Sequence, residues 1–388
     1  MKILYIAPRY HTNQVPVMHG WKVNGDTVFF MAQFCGVTEV HDDVQFHQME
    51  QSNLSKWLYK QIEKKYPADI AETKKILAFI PKQKDIKKVL NLFQPDMIIM
   101  RERTVCNAVA YHVCKKMGYK NVILYVQTPI YGLSKKSSRL HSWLKNCFFP
   151  RKVFSPVWYK GQERGKTNYL GGEFKQYVPL VCDRPAFKER VYCADGMIHI
   201  LDAGKFRDYK NHFGFVESVH RVHDKSRLKI TIAGQVTTEP EKLYFHRLQE
   251  QIKKYELENV IELKQNVPFK EMNQLYAKND VLVLPSKGES AGMVILEAMS
   301  QGLCVLSSIH CGLASVLDEY KCGFTFDIED SNALAIQLDK ITANPDIIKK
   351  MGEKSVDVIC RNFLFENYKT ELFKMIGSEN EGGNTKNE

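Results

Sequence analysis

Residues 280–302 read Asp280-Val281-Leu282-Val283-Leu284-Pro285-Ser286-Lys287-Gly288-Glu289-Ser290-Ala291-Gly292-Met293-Val294-Ile295-Leu296-Glu297-Ala298-Met299-Ser300-Gln301-Gly302. The run 281–284 is short, apolar and partly β-branched, the pattern of a strand buried on both faces. Turn residues follow, Ser290 is placed to cap a helix, and residues 292–301 carry that helix until Gly302 stops it. Cys304-Val305-Leu306-Ser307 reads as the next strand. The stretch is therefore one strand–helix–strand unit, the building block of a parallel sheet. Glu289 falls at the carboxyl end of the first strand, where open parallel sheets bind ligands. Glu297 lies eight positions further on, a little over two helical turns, and projects from roughly the same side.

The same alternation extends in both directions. At the N-terminus, 2–7 reads as a strand, 8–13 as a loop, 14–23 as a helix and 27–31 as a second strand. Residues 54–93 are polar and helical in pattern, broken at Pro67 and Pro81. Strands at 96–100 and 121–126 flank a helix at 107–117, and Val153-Phe154-Ser155-Pro156 reads as the last strand of this half. Residues 177–185 read as a crossover, after which the alternation restarts. Its strands are expected at 197–203, 229–233, 260–263, 281–284, 304–307 and 324–326. The helices between them are expected at 211–223, 239–254, 270–278, 292–301 and 332–342. An α/β protein of two doubly wound, Rossmann-like domains facing a central cleft follows.

Composition sets the bounds. With 388 residues, 44% hydrophobic and 26% charged, the chain suits two domains rather than one core. No apolar run approaches the ~20 residues that span a bilayer. The N-terminal apolar run is too short for a signal-peptide core and reads as a first strand, while the scattered cysteines favour a reducing cytoplasm. Ten cysteines without a Cys-x-x-Cys pair read as free thiols. His220-x-x-His223-Asp224 reads as a solvated helix end, and no metal is expected.

The net charge of +11 has an address: from Arg103 onward no acid occurs before Glu163, while that stretch holds 11 basic residues. The remaining 44 basic residues balance 44 acidic ones. Within it, Leu133, Leu140, Trp143, Leu144, Phe148 and Phe149 alternate with Lys135, Lys136, Arg139 and Lys145. Two readings stand side by side. One is a basic amphipathic helix by which the segment from Gly132 through Lys152 lies on an anionic membrane surface. The other is a surface helix packing its apolar stripe on the first sheet.

A second group of residues joins the opening stretch. Gly204-Lys205-Phe206-Arg207-Asp208-Tyr209-Lys210-Asn211 sets cations at a strand end beside a helix start, an arrangement suited to phosphate oxygens. The neighbouring strand ends at Gly234, where a glycine lets a ligand approach the backbone. The turn 288–292 offers main-chain N–H groups at another helix start. A carboxylate beside a diphosphate suits sugar hydroxyls rather than phosphate, so the combination describes a nucleotide sugar. A pair of glutamates on one helix also fits an ordinary solvated face.

From about Met197 to Asp330 the chain resembles the C-terminal domain of retaining glycosyltransferases of family 4, which have the GT-B fold. The family's pattern of a Pro-Ser turn, Glu, seven residues, Glu, Ala-Met and Gly is met by Pro285-Ser286, Glu289, Glu297, Ala298-Met299 and Gly302. Its upstream Gly-basic-x4-Lys pattern matches Gly204, Lys205 and Lys210, and Asn266-Val267-Pro268, Leu275-Tyr276, Gly312 and Gly323 follow in order. The resemblance implies that Glu297 binds the donor ribose and Glu289 contacts the transferred sugar. The N–H groups of Ala291, Gly292 and Met293 would lie near the diphosphate. Val294, Gly204, Arg207, Gly234 and Val267 would complete the donor site. Lys205 and Lys210 would stabilise charge on the leaving phosphate without a metal. No cofactor is implied beyond the nucleotide-diphosphate sugar, and the transfer would retain anomeric configuration.

The resemblance also implies the domain plan: 1–183 on the acceptor side, 184–362 binding the donor, a helix at 363–376 returning to the first domain, and a polar, disordered tail at 377–388. The first half departs from the family. Its loop Arg9-Tyr10-His11-Thr12-Asn13-Gln14 lacks the glycines common there. Gln127-Thr128-Pro129 stands where relatives often place a histidine, and a glutamine cannot act as a titrating base. Thr12, Asn13, Arg101 and Gln127 are the expected acceptor-side residues, with Glu102 beside them. The expected function is transfer of a hexose to a lipid-linked or oligosaccharide acceptor in O-antigen, capsule or lipopolysaccharide synthesis, peripherally on the inner face of the cytoplasmic membrane. The alternatives are a nucleotide-sugar epimerase or binding protein of the same fold, and a nucleic-acid-binding protein. No nucleic-acid module is recognisable, and the basic stretch is interrupted by buried-strand patterns.

Overall fold

The computed structural model describes residues 1–10, 12–35, 42–127, 147–156, 167–168, 174–185 and 190–377. Two sheets organise it. The first contains β1 (Lys2–Ala7), β2 (Thr27–Ala32), β3 (Gln45–Gln48), β4 (Met97–Arg101), β5 (Val122–Tyr125), β6 (Val153–Ser155), β7 (Thr167–Asn168) and β8 (Phe174–Tyr177). Their spatial order is 3-2-1-4-5-6-8-7, parallel except for the β7–β8 pair. The second contains β9 (Ile198–Ala203), β10 (Leu228–Gly234), β11 (Ile261–Gln265), β12 (Val281–Leu284), β13 (Cys304–Ser308) and β14 (Gly323–Phe326), in the order 11-10-9-12-13-14 and all parallel. Each chain path runs outward on one side and returns beside its first strand. This leaves a switch point between β1 and β4 and another between β9 and β12, the places where such sheets open a crevice for ligands.

The first sheet is covered by α1 (Val15–Val23), α2 (Asn53–Lys65), α3 (Ala68–Ala78), α4 (Gln83–Phe93) and α5 (Val105–Lys116). The second is covered by α6 (His212–Arg221), α7 (Glu239–Lys254), α8 (Phe269–Ala277), α9 (Met293–Ser300), α10 (Ala314–Tyr320), α11 (Ala333–Ala343) and α12 (Asp346–Asn362). Burial on both faces explains the unbroken apolar strands. In β12, Val281 and Val283 enter one core layer while Leu282 and Leu284 enter the other. A last helix, α13 (Phe365–Gly377), crosses back to the first domain. There the Trp21 ring meets Phe365 edge-on at 4.9 Å, and Trp21 Nε1 donates to the Tyr5 hydroxyl at 3.0 Å.

Some sequence expectations are corrected. Val153–Ser155 is not the last strand of its half, because Phe174–Tyr177 pairs in parallel beyond it. The pattern also missed β3, whose residues Gln-Phe-His-Gln lie half-exposed at the sheet edge and show no apolar alternation. The residues from 128 to 146, which hold most of the basic amphipathic stretch, lie outside the described residues, as does the tail from 378. No helix among the described residues is long and apolar enough to cross a membrane.

Candidate active site

The second sheet's switch point gathers the family-matched residues. After β9 the chain passes Gly204 and enters a 3-10 turn, Asp208–Lys210, and Asn211 takes a left-handed conformation (φ 60°) before α6. Lys210 folds back beneath Gly204: a Cβ on that glycine would lie 2.9 Å from Lys210 Cε. Its buried ammonium reaches across the sheet to form an ion pair with Glu289. Burial alone would lower the Lys210 pKa, but the charge of Glu289 and the hydrogen bond to it outweigh that, and the pKa is raised. Glu289 is pinned by its backbone. Its N–H donates to His310 O at 3.1 Å, and its carbonyl accepts from Gly312 N at 3.2 Å.

Lys205 stands exposed at the rim. Partial burial and the neighbouring cations Arg207, Arg9 and Lys210 lower its pKa. Arg9 belongs to the loop after β1, so the first domain's loop comes within electrostatic reach of Lys205 across the crevice. Arg207 is engaged elsewhere: Nε and Nη2 both donate to Glu241 Oε1 at 2.8 Å. Burial raises the Glu241 carboxyl, yet hydrogen bonds from Thr237, Arg207 and Thr238 override it and bring the pKa down to about 2. Gly234 packs so closely that a Cβ there would lie 1.9 Å from Gly204 O. Beside it, Asn266 (φ 53°) exchanges two side-chain hydrogen bonds with the backbone of Val236, which sets half-buried Val267 next to the turn.

Helix α9 starts later than the sequence pattern suggests. Ser290 does not cap it; Gly292, at φ 80° and ψ 59°, occupies the cap position and Met293 is the first helical residue. A left-handed entry favours glycine, and the first N–H groups of the helix are without intrahelical acceptors. Ala291 is buried, and Met293 and Val294 are half-buried. Glu297, one turn on, accepts a hydrogen bond from the Tyr276 hydroxyl at 2.6 Å. Burial raises its pKa, with Asp183 adding to the effect.

Two further groups were not picked out from the sequence. Asp202, in β9, is 1% exposed and neither carboxyl oxygen has a hydrogen-bond partner among the described residues. His212 Nε2 lies 3.8 Å away, also unpartnered. Burial pushes the Asp202 pKa up to about 8, with Glu289 adding and Lys210 opposing, while burial and Lys210 bring His212 down to about 3. The signal for Asp202 was a lone acid in a strand whose Ile198, Ile200, Leu201 and Ala203 are apolar. Tyr276 was quoted only as part of a motif, yet it orients Glu297.

The first domain brings Asn13, Arg101 and Gln127 together at its own switch point. Arg101 Nη2 donates to Gln127 Oε1 at 3.2 Å, and Nη1 lies 3.5 Å from Asn13 Oδ1. Gln127 Oε1 also accepts from the Tyr125 hydroxyl at 3.0 Å. Thr12 opens the 3-10 turn Thr12–Gln14 in the same loop. Among the described residues no group of His, Cys, Asp or Glu is placed to hold a metal, and all ten cysteines are unpaired.

Two parallel α/β domains whose switch points face a shared crevice make this a GT-B architecture. Residues 184–357 match the family model described as Glycosyl transferases group 1. The chain is 30% identical over 145 residues to an uncharacterized 41.2 kDa protein in the cps region of Klebsiella pneumoniae, covering 37% of each. It is 28% identical over 124 residues, 30% of each chain, to WcaL of Salmonella typhimurium, provisionally described as a colanic acid biosynthesis glycosyltransferase. It thus spans about a third of the length of these curated relatives. Among solved structures, Anabaena HepE in complex with UDP and glucose superposes with a TM-score of 0.69 over 97% of this chain and 100% of that one, at 14% identity, which shows a shared fold.

Proposed function

We propose that the chain is a retaining glycosyltransferase that moves a sugar from a nucleotide-diphosphate sugar to a glycan acceptor, lipid-linked, in polysaccharide biosynthesis. The observation that carries the reading is the Lys210–Glu289 ion pair at the switch point, with Lys205 exposed at its rim and Glu297 held by Tyr276 one helix away. A cation held in advance beside a carboxylate suits a diphosphate leaving group next to a hydroxyl-bearing sugar. In this reading Lys205, Lys210 and the N-terminus of α9 stabilise the departing phosphate, and Glu289 orients the transferred sugar. Glu297 accepts hydrogen bonds from the ribose, and Tyr276 holds its carboxylate in place. The family match, and the naming of relatives for colanic acid synthesis and for UDP and glucose, support the same assignment.

The test is a thermal-shift screen against UDP-, GDP- and ADP-sugars. At least one raises the melting temperature of the wild type, and Glu297→Ala abolishes that shift with its own melting temperature little changed. Tyr276→Phe weakens donor binding by about tenfold, the size of one lost hydrogen bond to a charged group. Undiminished turnover in Glu297→Ala overturns the assignment.

A further inference from the structure

Arg101 ends β4 at the first domain's switch point and is only 7% exposed. Among the described residues it has no carboxylate partner. Its guanidinium meets two neutral amide oxygens, on Asn13 and Gln127, and lies 5.3 Å from the Tyr125 ring centroid. A buried cation without a counter-ion is costly, and neutral acceptors return only part of its lost hydration.

The obvious counter-ion is one residue away and is turned aside. Glu102 takes a left-handed backbone conformation at φ 66°, which costs a non-glycine residue roughly 1 kcal/mol. Its carboxylate is spent on the Gln127 main-chain N–H, at 3.0 Å. Asn107 Nδ2 holds the bend by donating to the carbonyls of Arg101 and Glu102, at 2.5 and 2.7 Å. The local fold thus keeps the acid off the guanidinium while fixing the guanidinium's plane between Tyr125, Asn13 and Gln127.

We propose that Arg101, aligned by Asn13 and Gln127, receives an anionic group, a phosphate or a carboxylate, carried by the acceptor substrate. The guanidinium fork matches two oxygens of either group, which a lysine would not. Asn13, which meets the guanidinium, lies in the same loop as Arg9, whose charge acts on Lys205, so an anion bound there would sit on the acceptor side of the reacting centre. The inference rests on the glycosyltransferase reading for calling the ligand an acceptor; the anion site itself stands on the geometry of Arg101.

The experiment uses the full chain, with the nucleoside diphosphate that binds (UDP, GDP or ADP) at saturation so that the donor site is closed to added anions. Inorganic phosphate, glucuronate and glucose are then titrated at constant ionic strength. Phosphate or glucuronate raises the melting temperature and glucose does not. A response to phosphate alone marks a phosphorylated acceptor, and a response to glucuronate alone marks an acidic sugar. Arg101→Gln loses the response while still binding the nucleoside diphosphate. Arg101→Lys, which keeps the charge and guards against a folding defect, raises the anion Kd at least about tenfold. No response in the wild type, or an equal response in Arg101→Gln, overturns the proposal. If no nucleoside diphosphate binds, the glycosyltransferase reading fails separately, and the titration on the free protein still compares wild type with Arg101→Gln.

Discussion

Asp202 is a carboxyl group enclosed by residues that cannot satisfy it. Lys210 faces it from the turn before α6 and His212 from the first residue of α6, Tyr244 approaches from α7 through His212, and Glu289 lies beyond Lys210. Burial holds its folded pKa at about 8, against roughly 3.9 in an unfolded chain. Between those values the unfolded state has released a proton that the folded state retains. Stability therefore falls as pH rises from about 4 to about 8, and this contribution is flat on either side. Asp202→Asn removes the slope. In urea unfolding the variant gains more at pH 8 than at pH 5, by about 3 kcal/mol. The burial of His212 is common to both proteins and cancels. Equal gains at the two pH values would contradict a neutral Asp202. A neutral carboxyl there leaves the Lys210–Glu289 pair undisturbed, whereas an ionised one competes for the same ammonium. The acid was legible in the sequence as the one charge in Ile198–Ala203. Its environment was not, because Lys210 and Glu289 are separated by 79 positions and meet only when β9 and β12 become neighbours.

The site depends on turns at the ends of strands more than on helices. Gly234 closes β10 against the carbonyl of Gly204, which opens the loop carrying Lys205 and Lys210. A methyl group at 234 would meet that carbonyl at 1.9 Å and the Phe206 ring at 3.0 Å, and neither atom belongs to a flexible chain end. The loop has to move. Gly234→Ala is expected to lower stability by about 1–3 kcal/mol, as overpacking does, and to reduce donor turnover by roughly a hundredfold through misplaced cations. Gly288→Ala is the control: nothing lies within 4 Å of its added methyl, and the change stays within about 0.5 kcal/mol. Denaturation and turnover measured on both variants would refute the close-packing argument if they behave alike. At this scale the sequence pattern served well where strands are buried on both faces, since their apolar runs need no partner to be recognised. It failed at the α9 entry, where Ser290 has cap chemistry but the backbone turns at Gly292 instead. It failed again at the sheet edges, where short half-exposed strands such as β3 carry no periodic signal.

The last helix makes the molecule more than two domains in series. α13 follows the whole second domain in sequence, yet its Phe365, Tyr368, Leu372 and Met375 complete the core of the first. Gly20 of α1 is small because Phe365 occupies the adjoining space: a Cβ there would lie 2.1 Å from that ring. The chain therefore crosses between domains twice, and the crossings touch, with Cys182 N donating to Phe363 O at 2.8 Å. The two connections between the domains therefore lie side by side. Phe365→Ala removes the ring that packs on Trp21 and leaves a cavity in the first domain's core, a loss of about 3–5 kcal/mol. The second domain's own core contains none of the affected side chains. Calorimetry should show an early transition lowered in the variant, and donor binding should persist until a later one that does not move. A single transition shifted as a whole would mean that the paired crossings couple the domains into one cooperative unit. An unchanged melting profile would mean that α13 contributes little to the stability of the first domain.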